Sequence, residues 1–209
     1  MAKELYKFKE GSHTIVLGLT QSGKTYAVKK ILTHNIRGVI FFNTQQEDLE
    51  TFVKVNKNTP FMVILKLLKL GRKVNYIPDT RLKTQFLEIQ FLINQLFENG
   101  HLPKNNPIFF VIDEAHLFTG DALDAITRIA TSGIRWGVNG IFISQRPANL
   151  NNTLMSQSSH MLIFKCNMES QYFKNYQIPI ENILTNIQNN GKYSYCEYDF
   201  LTVTAFPCV

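Results

Sequence analysis

Eight residues, Gly18-Leu19-Thr20-Gln21-Ser22-Gly23-Lys24-Thr25, carry the most explicit chemistry in the chain. They fit the phosphate-cradling pattern G-x-x-x-x-G-K-[ST] at every fixed position. Gly18 and Gly23 admit backbone angles closed to other residues, so successive N–H groups can turn inward on a triphosphate. Lys24 is expected to reach the β- and γ-phosphates as a point charge, and Thr25 to offer its hydroxyl to a magnesium ion. The expected cofactors are therefore ATP and Mg2+. Gly18, Thr20, Gln21, Ser22, Gly23, Lys24 and Thr25 form the cradle, with Tyr26 next in line as a nucleotide contact.

Two further stretches end in groups that could act on a bound phosphate. The apolar run Ile108-Phe109-Phe110-Val111-Ile112 stops abruptly at Asp113-Glu114. Carboxylates at the carboxyl end of a buried strand sit where open α/β sheets bind their ligands. Asp113 is the expected magnesium partner of Thr25, and Glu114 is placed to polarise a water for attack on the γ-phosphate. Gly140-Ile141-Phe142-Ile143-Ser144 then ends in Gln145-Arg146-Pro147. Gln145 would lie beside the two carboxylates and sense the γ-phosphate; a plain hydrogen bond to a loop carbonyl is its alternative.

These groups need elements to hold them. Thr14–Leu17 leads into the cradle as a strand (about His13 to Leu17), and a helix leads out of it to about Asn35. Residues 38–43 form a fully apolar strand, and 44–55 a polar, acidic loop with a short helix. Pro60 opens a helix over 61–70, 73–77 alternates like a strand, and 81–98 has apolar residues three or four apart. After the Asp113-Glu114 strand, 115–133 reads as loop then helix. Beyond Pro147 come an Asn-rich loop, a short helix, a strand over 160–165, helices near 169–176 and 179–187, and a hairpin of 192–196 with 200–204. Alternating strands and helices predict one α/β domain over 1–209. Its central sheet is mostly parallel, with helices flanking it, antiparallel strands at one edge and residues 1–12 as a polar lead-in.

Composition agrees with a globular domain: 209 residues, 44% apolar and 18% charged. A net charge of +6 leans toward a polyanionic partner. Cys166, Cys196 and Cys208 have no metal-ligand spacing and read as free thiols in a reducing compartment. The most apolar run, Phe61 to Leu70, is broken by Lys66 and Lys69 and is too short to span a bilayer; no signal-peptide core follows Met1. Direct membrane insertion is not expected.

The cradle, the Phe109–Glu114 strand end and Ile143-Ser144-Gln145-Arg146-Pro147 together resemble the HerA–FtsK superfamily of DNA-translocating ATPases. Gly133-Ile134-Arg135-Trp136-Gly137-Val138, just before the Gln-Arg-Pro strand, is similar to a run in that family. A domain of this size most resembles the genome-packaging ATPases of icosahedral viruses with an internal membrane. The resemblance implies a RecA-like P-loop NTPase of the additional-strand, catalytic-glutamate type, forming a ring, usually a hexamer, that threads double-stranded DNA. It also implies capsid or vertex proteins as partners and a place in the host cytoplasm or the virion. A ring site needs a cation from the neighbouring subunit to stabilise transition-state charge. Arg135 best matches the family's position, with Arg128 and Arg146 behind it. Lys24, Glu114, Gln145 and Arg135 are thus the expected catalytic set. Pore-loop candidates are 117–121 and 148–153.

Other readings stay open. A HerA-like translocase of plasmid transfer or DNA-end processing would carry the same motifs. A small-molecule P-loop kinase fits the length, although Asp113-Glu114 suits activation of water, which a kinase excludes. A nucleotide-gated scaffold would leave Glu114 idle.

Overall fold

The computed structural model describes residues 6–34, 37–99, 102, 105–166, 170–191 and 193–207. Asn35, Gly100, Glu169, Lys192 and Cys208, which figure in the sequence expectations, lie outside them. The apolar runs become β1 (Thr14–Leu17), β2 (Val39–Phe42), β3 (Val53–Val55), β4 (Lys73–Tyr76), β5 (Ile108–Ile112), β6 (Val138–Ser144), β7 (His160–Phe164), β8 (Tyr195–Tyr198) and β9 (Val203–Phe206). All pair in one sheet, ordered β3-β4-β2-β5-β6-β1-β7-β8-β9. The first seven in chain order are parallel; β8 and β9 add antiparallel at the edge beyond β7. The expected architecture, mostly parallel with an antiparallel C-terminal edge, is the one observed.

Pleating decides which side chain meets which layer. Ile15, Leu17, Ile40, Phe42, Phe110 and Ile112 face the helices α2 (Phe61–Lys69), α3 (Leu82–Asn99), α4 (Gly120–Ser132), α5 (Asn152–Gln157) and α7 (Ile180–Asn189). Val16, Phe41, Phe109 and Val111 face α1 (Lys24–Thr33) on the other side. A short α6 (Ser170–Asn175) precedes α7 and buries Phe173 in the first layer. With both faces covered, β2 and β5 are apolar at every position, which is why they read as unbroken runs. Tyr6 and Phe8, from the lead-in, are buried against Phe109 and the ring of Phe206.

Two local expectations need correcting. The polar stretch 44–55 ends in β3, an edge strand paired with β4, and no helix forms there. The hairpin is shifted: Glu197 and Tyr198 belong to β8, and the turn is 199–202. The Asp199 carboxylate builds that turn by accepting from the N–H groups of Leu201 and Thr202 at 3.0 and 2.7 Å. Because β1, β5 and β6 are parallel neighbours, their carboxyl ends share one edge of the sheet. All the chemistry gathers there.

Candidate nucleotide and catalytic site

The phosphate loop is tied to that edge by its backbone. Gly18 N–H donates to Ser144 C=O at 3.3 Å and Leu19 N–H to Lys165 C=O at 3.1 Å, so the loop hangs between the ends of β6 and β7. Gly18 has no room for a side chain: a Cβ would lie 2.6 Å from Ser22 Oγ and 2.7 Å from Phe164 Cβ. Gly23, at φ +88°, takes the left-handed conformation that starts α1. Lys24 is 5% exposed, its Nζ 3.5 Å from Leu19 C=O. Burial lowers its pKa, and the nearby Glu114 and Asp113 carboxylates oppose that shift. It is a desolvated cation held for an anion. Thr25 follows it in the first turn of α1.

Asp113 and Glu114 leave β5 almost fully buried. Asp113 Oδ1 accepts from Glu114 N–H at 3.2 Å, while Oδ2 is buried without a partner. Burial and the Glu114 charge push the Asp113 carboxyl up to about 6, against the pull of Lys24 and Lys29. A buried, unpaired carboxylate oxygen on the same edge as a threonine hydroxyl is the hard-oxygen donor set that Mg2+ takes together with phosphates and water. Glu114 has φ +52°, a left-handed conformation costing a non-glycine residue about 1–2 kcal/mol. Its Oε1 accepts a hydrogen bond from Gln145 Nε2, and Gln145 Oε1 accepts from Thr20 Oγ1. One amide thus spans from the phosphate loop to the carboxylate.

Thr20, Lys24, Asp113, Glu114 and Gln145 are therefore brought together from three separate stretches of sequence. Arg135 is not. It is exposed in the turn Gly133–Trp136 before β6, at the opposite end of that strand from Ser144. Seven extended residues separate the two ends by about 20 Å. Arg128 sits with its guanidinium 4.4 Å above the Phe97 ring, on α4. Of the three arginines only Arg146 is beside the site, near enough to influence His116. Tyr26 is 60% exposed, with Lys30 Nζ 5.9 Å from its ring.

A cavity of about 670 Å³ opens on the outer flank of the loop, lined by Thr20, Gln21, Cys166, Ile187, Gln188 and Tyr193 among others. It lies on the β7 side of the loop, away from the carboxylates, where a nucleoside could extend from a triphosphate seated at Lys24. The Tyr193 ring packs over Gly23, whose Cβ would stand 3.2 Å from it. Burial pushes the Cys166 thiol up to about 12, so it lines the cavity as a small apolar group. Three residues here escaped the sequence reading. Lys29 pairs with Glu47 and adds positive potential at Asp113; one helical turn from Lys24 was its only signal. His116 completes an Asp-Glu-Ala-His run. Tyr193 lies beyond any motif.

Both pore-loop candidates follow strands ending at this edge, 117–121 after β5 and 148–153 after β6, and neither contains Lys or Arg. Asn151 caps α5, accepting from Thr153 N–H at 2.7 Å, which accounts for one asparagine of that loop.

The geometry now stands beside known proteins. No protein-family model matches the chain. The DNA double-strand break repair helicase HerA of Saccharolobus solfataricus is 38% identical over 116 residues, 49% of this chain and 23% of that protein. The probable helicase MJECL08 of Methanocaldococcus jannaschii is 39% identical over 142 residues, 57% of this chain and 26% of that protein. The resemblance to the HerA–FtsK superfamily holds. This chain spans about a quarter or less of the curated relatives it matches. Among solved structures, the genome packaging NTPase B204 of Sulfolobus turreted icosahedral virus 2, in complex with ATP-gammaS, superposes with a TM-score of 0.65 at 14% identity. That match covers 97% of this chain and 100% of B204. The pCW3 conjugation coupling protein TcpA gives a TM-score of 0.54 at 12% identity, over 94% of this chain and 60% of that one. At these identities the fold is what is shared. Among the described residues, no helix is long and apolar enough to cross a membrane.

Proposed function

We propose that this chain is an ATP-hydrolysing motor that translocates double-stranded DNA, and that its task is to drive a viral genome into a preformed capsid. The observation that carries the hydrolytic part is the Thr20–Gln145–Glu114 bridge, which couples the phosphate loop to a buried carboxylate. Lys24 would bind the β- and γ-phosphates, and Glu114 would polarise the attacking water. Thr25 and Asp113 would hold Mg2+, which when bound offsets charge on the phosphate oxygens. The cavity beside Tyr193 would take the nucleoside. Arg135 lies exposed at the far end of β6 from its own site, which favours a role in a neighbour's site within a ring, most simply a hexamer. DNA would be gripped through phosphates, without sequence preference, and capsid or vertex proteins would anchor the ring. Such a protein would work in the host cytoplasm or the virion.

The packaging assignment draws on likeness to B204 along that protein's whole length. Sequence identity of 34–39% to HerA and helicase proteins favours a second reading, a HerA-like translocase in plasmid transfer or DNA-end processing. The decisive experiment is ATP turnover with and without long linear duplex DNA, at low and high salt. Stimulation that fades with salt and disappears in Lys24→Ala is expected of the motor. Turnover indifferent to DNA but dependent on a small phosphate acceptor would replace the motor by a kinase. Binding without any turnover would leave only a nucleotide-gated scaffold. Compaction of duplex DNA into empty capsids, against activity with a nuclease or relaxase partner, separates the two motor readings.

A further inference from the structure

Beyond Glu114 the chain turns back on itself. Leu117 N–H donates to Glu114 C=O at 2.9 Å, closing the short turn Ala115–Leu117, and this folds His116 toward the end of β6. There its Nδ1 meets two oxygens: Ser144 Oγ at 3.2 Å and Glu114 Oε2 at 3.3 Å. The His116 and Glu114 side chains are 8% and 5% exposed. Ser144 is fully buried, and its Oγ also accepts from Arg146 N–H at 3.0 Å. The histidine thus bridges the end of β5 to the loop that carries Gln145 and Arg146.

The two oxygens of Glu114 are not equivalent. Oε1 is engaged by Gln145, whereas Oε2 is buried and makes no hydrogen bond of good geometry. Oε2 is the oxygen left for a water, and the imidazole is the polar group bordering it. Burial and the neighbouring Arg146 and Lys24 charges hold the His116 pKa below its ordinary value, with Glu114 pulling the other way. A neutral ring can give Oε2 a direction without cancelling its charge by a full positive one.

We propose that His116 is the positioning residue of Glu114: Ser144 Oγ holds the imidazole through Nδ1, and the ring, packed 3.3 Å from Oε2, fixes the orientation in which the carboxylate meets the attacking water. This rests on Glu114 being the residue that polarises water. The histidine touches neither nucleotide nor water in this scheme, so its effect must pass through the carboxylate.

The test is steady-state ATP hydrolysis by the wild-type chain, His116→Ala, His116→Asn, Ser144→Ala and His116→Ala/Ser144→Ala, with ADP affinity and melting temperature measured for each. A misaimed carboxylate should lower kcat about 10- to 100-fold while KM and ADP affinity stay within about twofold. Asparagine, whose amide can reach the Nδ1 position, should recover much of the rate. Ser144→Ala should lower kcat by a smaller factor, and the double variant should be no worse than His116→Ala, because the serine acts through the histidine. Wild-type kcat in His116→Ala, a fall matched by lost ADP affinity, or multiplicative effects in the double variant would each overturn the proposal. Should His116→Ala not fold, full activity in Ser144→Ala together with none in His116→Asn overturns it equally. A wild-type chain that hydrolyses no ATP, with or without DNA, removes the hydrolase reading and this one with it; an active wild type with an indifferent His116 removes only this one.

Discussion

Replacing Asp113 by asparagine should make the ligand-free protein more stable while ending its nucleotide chemistry. Asp113 is 1% exposed, with Oδ2 unpartnered, and its carboxyl is raised from an ordinary 3.8 to about 6. A group whose folded pKa exceeds its unfolded one supports the fold below the unfolded value and loses that support as pH rises through the folded value. At pH 7 the ionised carboxylate therefore costs the folded state about 3 kcal/mol relative to a neutral group of the same shape, and at pH 4.5 about 1 kcal/mol. For a domain of this size, 3 kcal/mol corresponds to a melting shift of about 6–12 °C. Thermal unfolding of wild type and Asp113→Asn in chelator, at pH 7 and 4.5, measures both. The variant should melt higher at pH 7, and the gap should shrink on acidification. Adding Mg2+ and ATP should reverse the order: at about 1,000 times Kd, ligand contributes about 4.1 kcal/mol to the wild type alone. A variant that melts at or below wild type at pH 7, or a gap unchanged at pH 4.5, would refute the reasoning.

Three other outcomes are expected. Gly18→Ala should lose about 1–3 kcal/mol of stability and most nucleotide binding, since its Cβ would be forced against Ser22 Oγ and Phe164 Cβ; melts and a fluorescent-nucleotide titration check this. Arg135→Ala should abolish turnover with nucleotide affinity unchanged, and mixing it with Glu114→Gln subunits should restore part of the rate, because each lacks a group the other supplies. Equal loss of binding and turnover, with no recovery on mixing, would make Arg135 a structural residue. Tyr193→Ala should weaken ATP about tenfold while leaving inorganic triphosphate untouched, as measured by competition binding.

The parts legible in the sequence are those whose cause is local or periodic. A glycine-framed loop between a β-branched run and a helix can be little else, and five apolar residues ending in two acids announce a buried strand meeting its ligand edge. β3 is hidden because Val53-Lys54-Val55 is only three residues long and closes a polar stretch; its register with β4 makes it a strand. The β8–β9 turn was misplaced because Glu197 and Tyr198 look like turn residues. Tyr198 instead pairs with Met161, and Glu197 lies 3.2 Å from Lys9 across a long stretch of sequence. His116, Lys29 and Tyr193 acquire their surroundings only when distant strands come together. Arg135 was legible as a type of residue in a run, but the end of the sheet it occupies required the fold.

The amide of Gln145 has one accepting and one donating end, and in the ligand-free protein both are engaged, by Thr20 and Glu114. The amide nitrogen keeps a second N–H, so it can meet a phosphate while still holding both partners. One side chain thus ties the phosphate loop to the Glu114 carboxylate across two strands of the sheet. Gln145 directly follows β6, so a displacement of the loop after that strand would be carried to both Thr20 and Glu114.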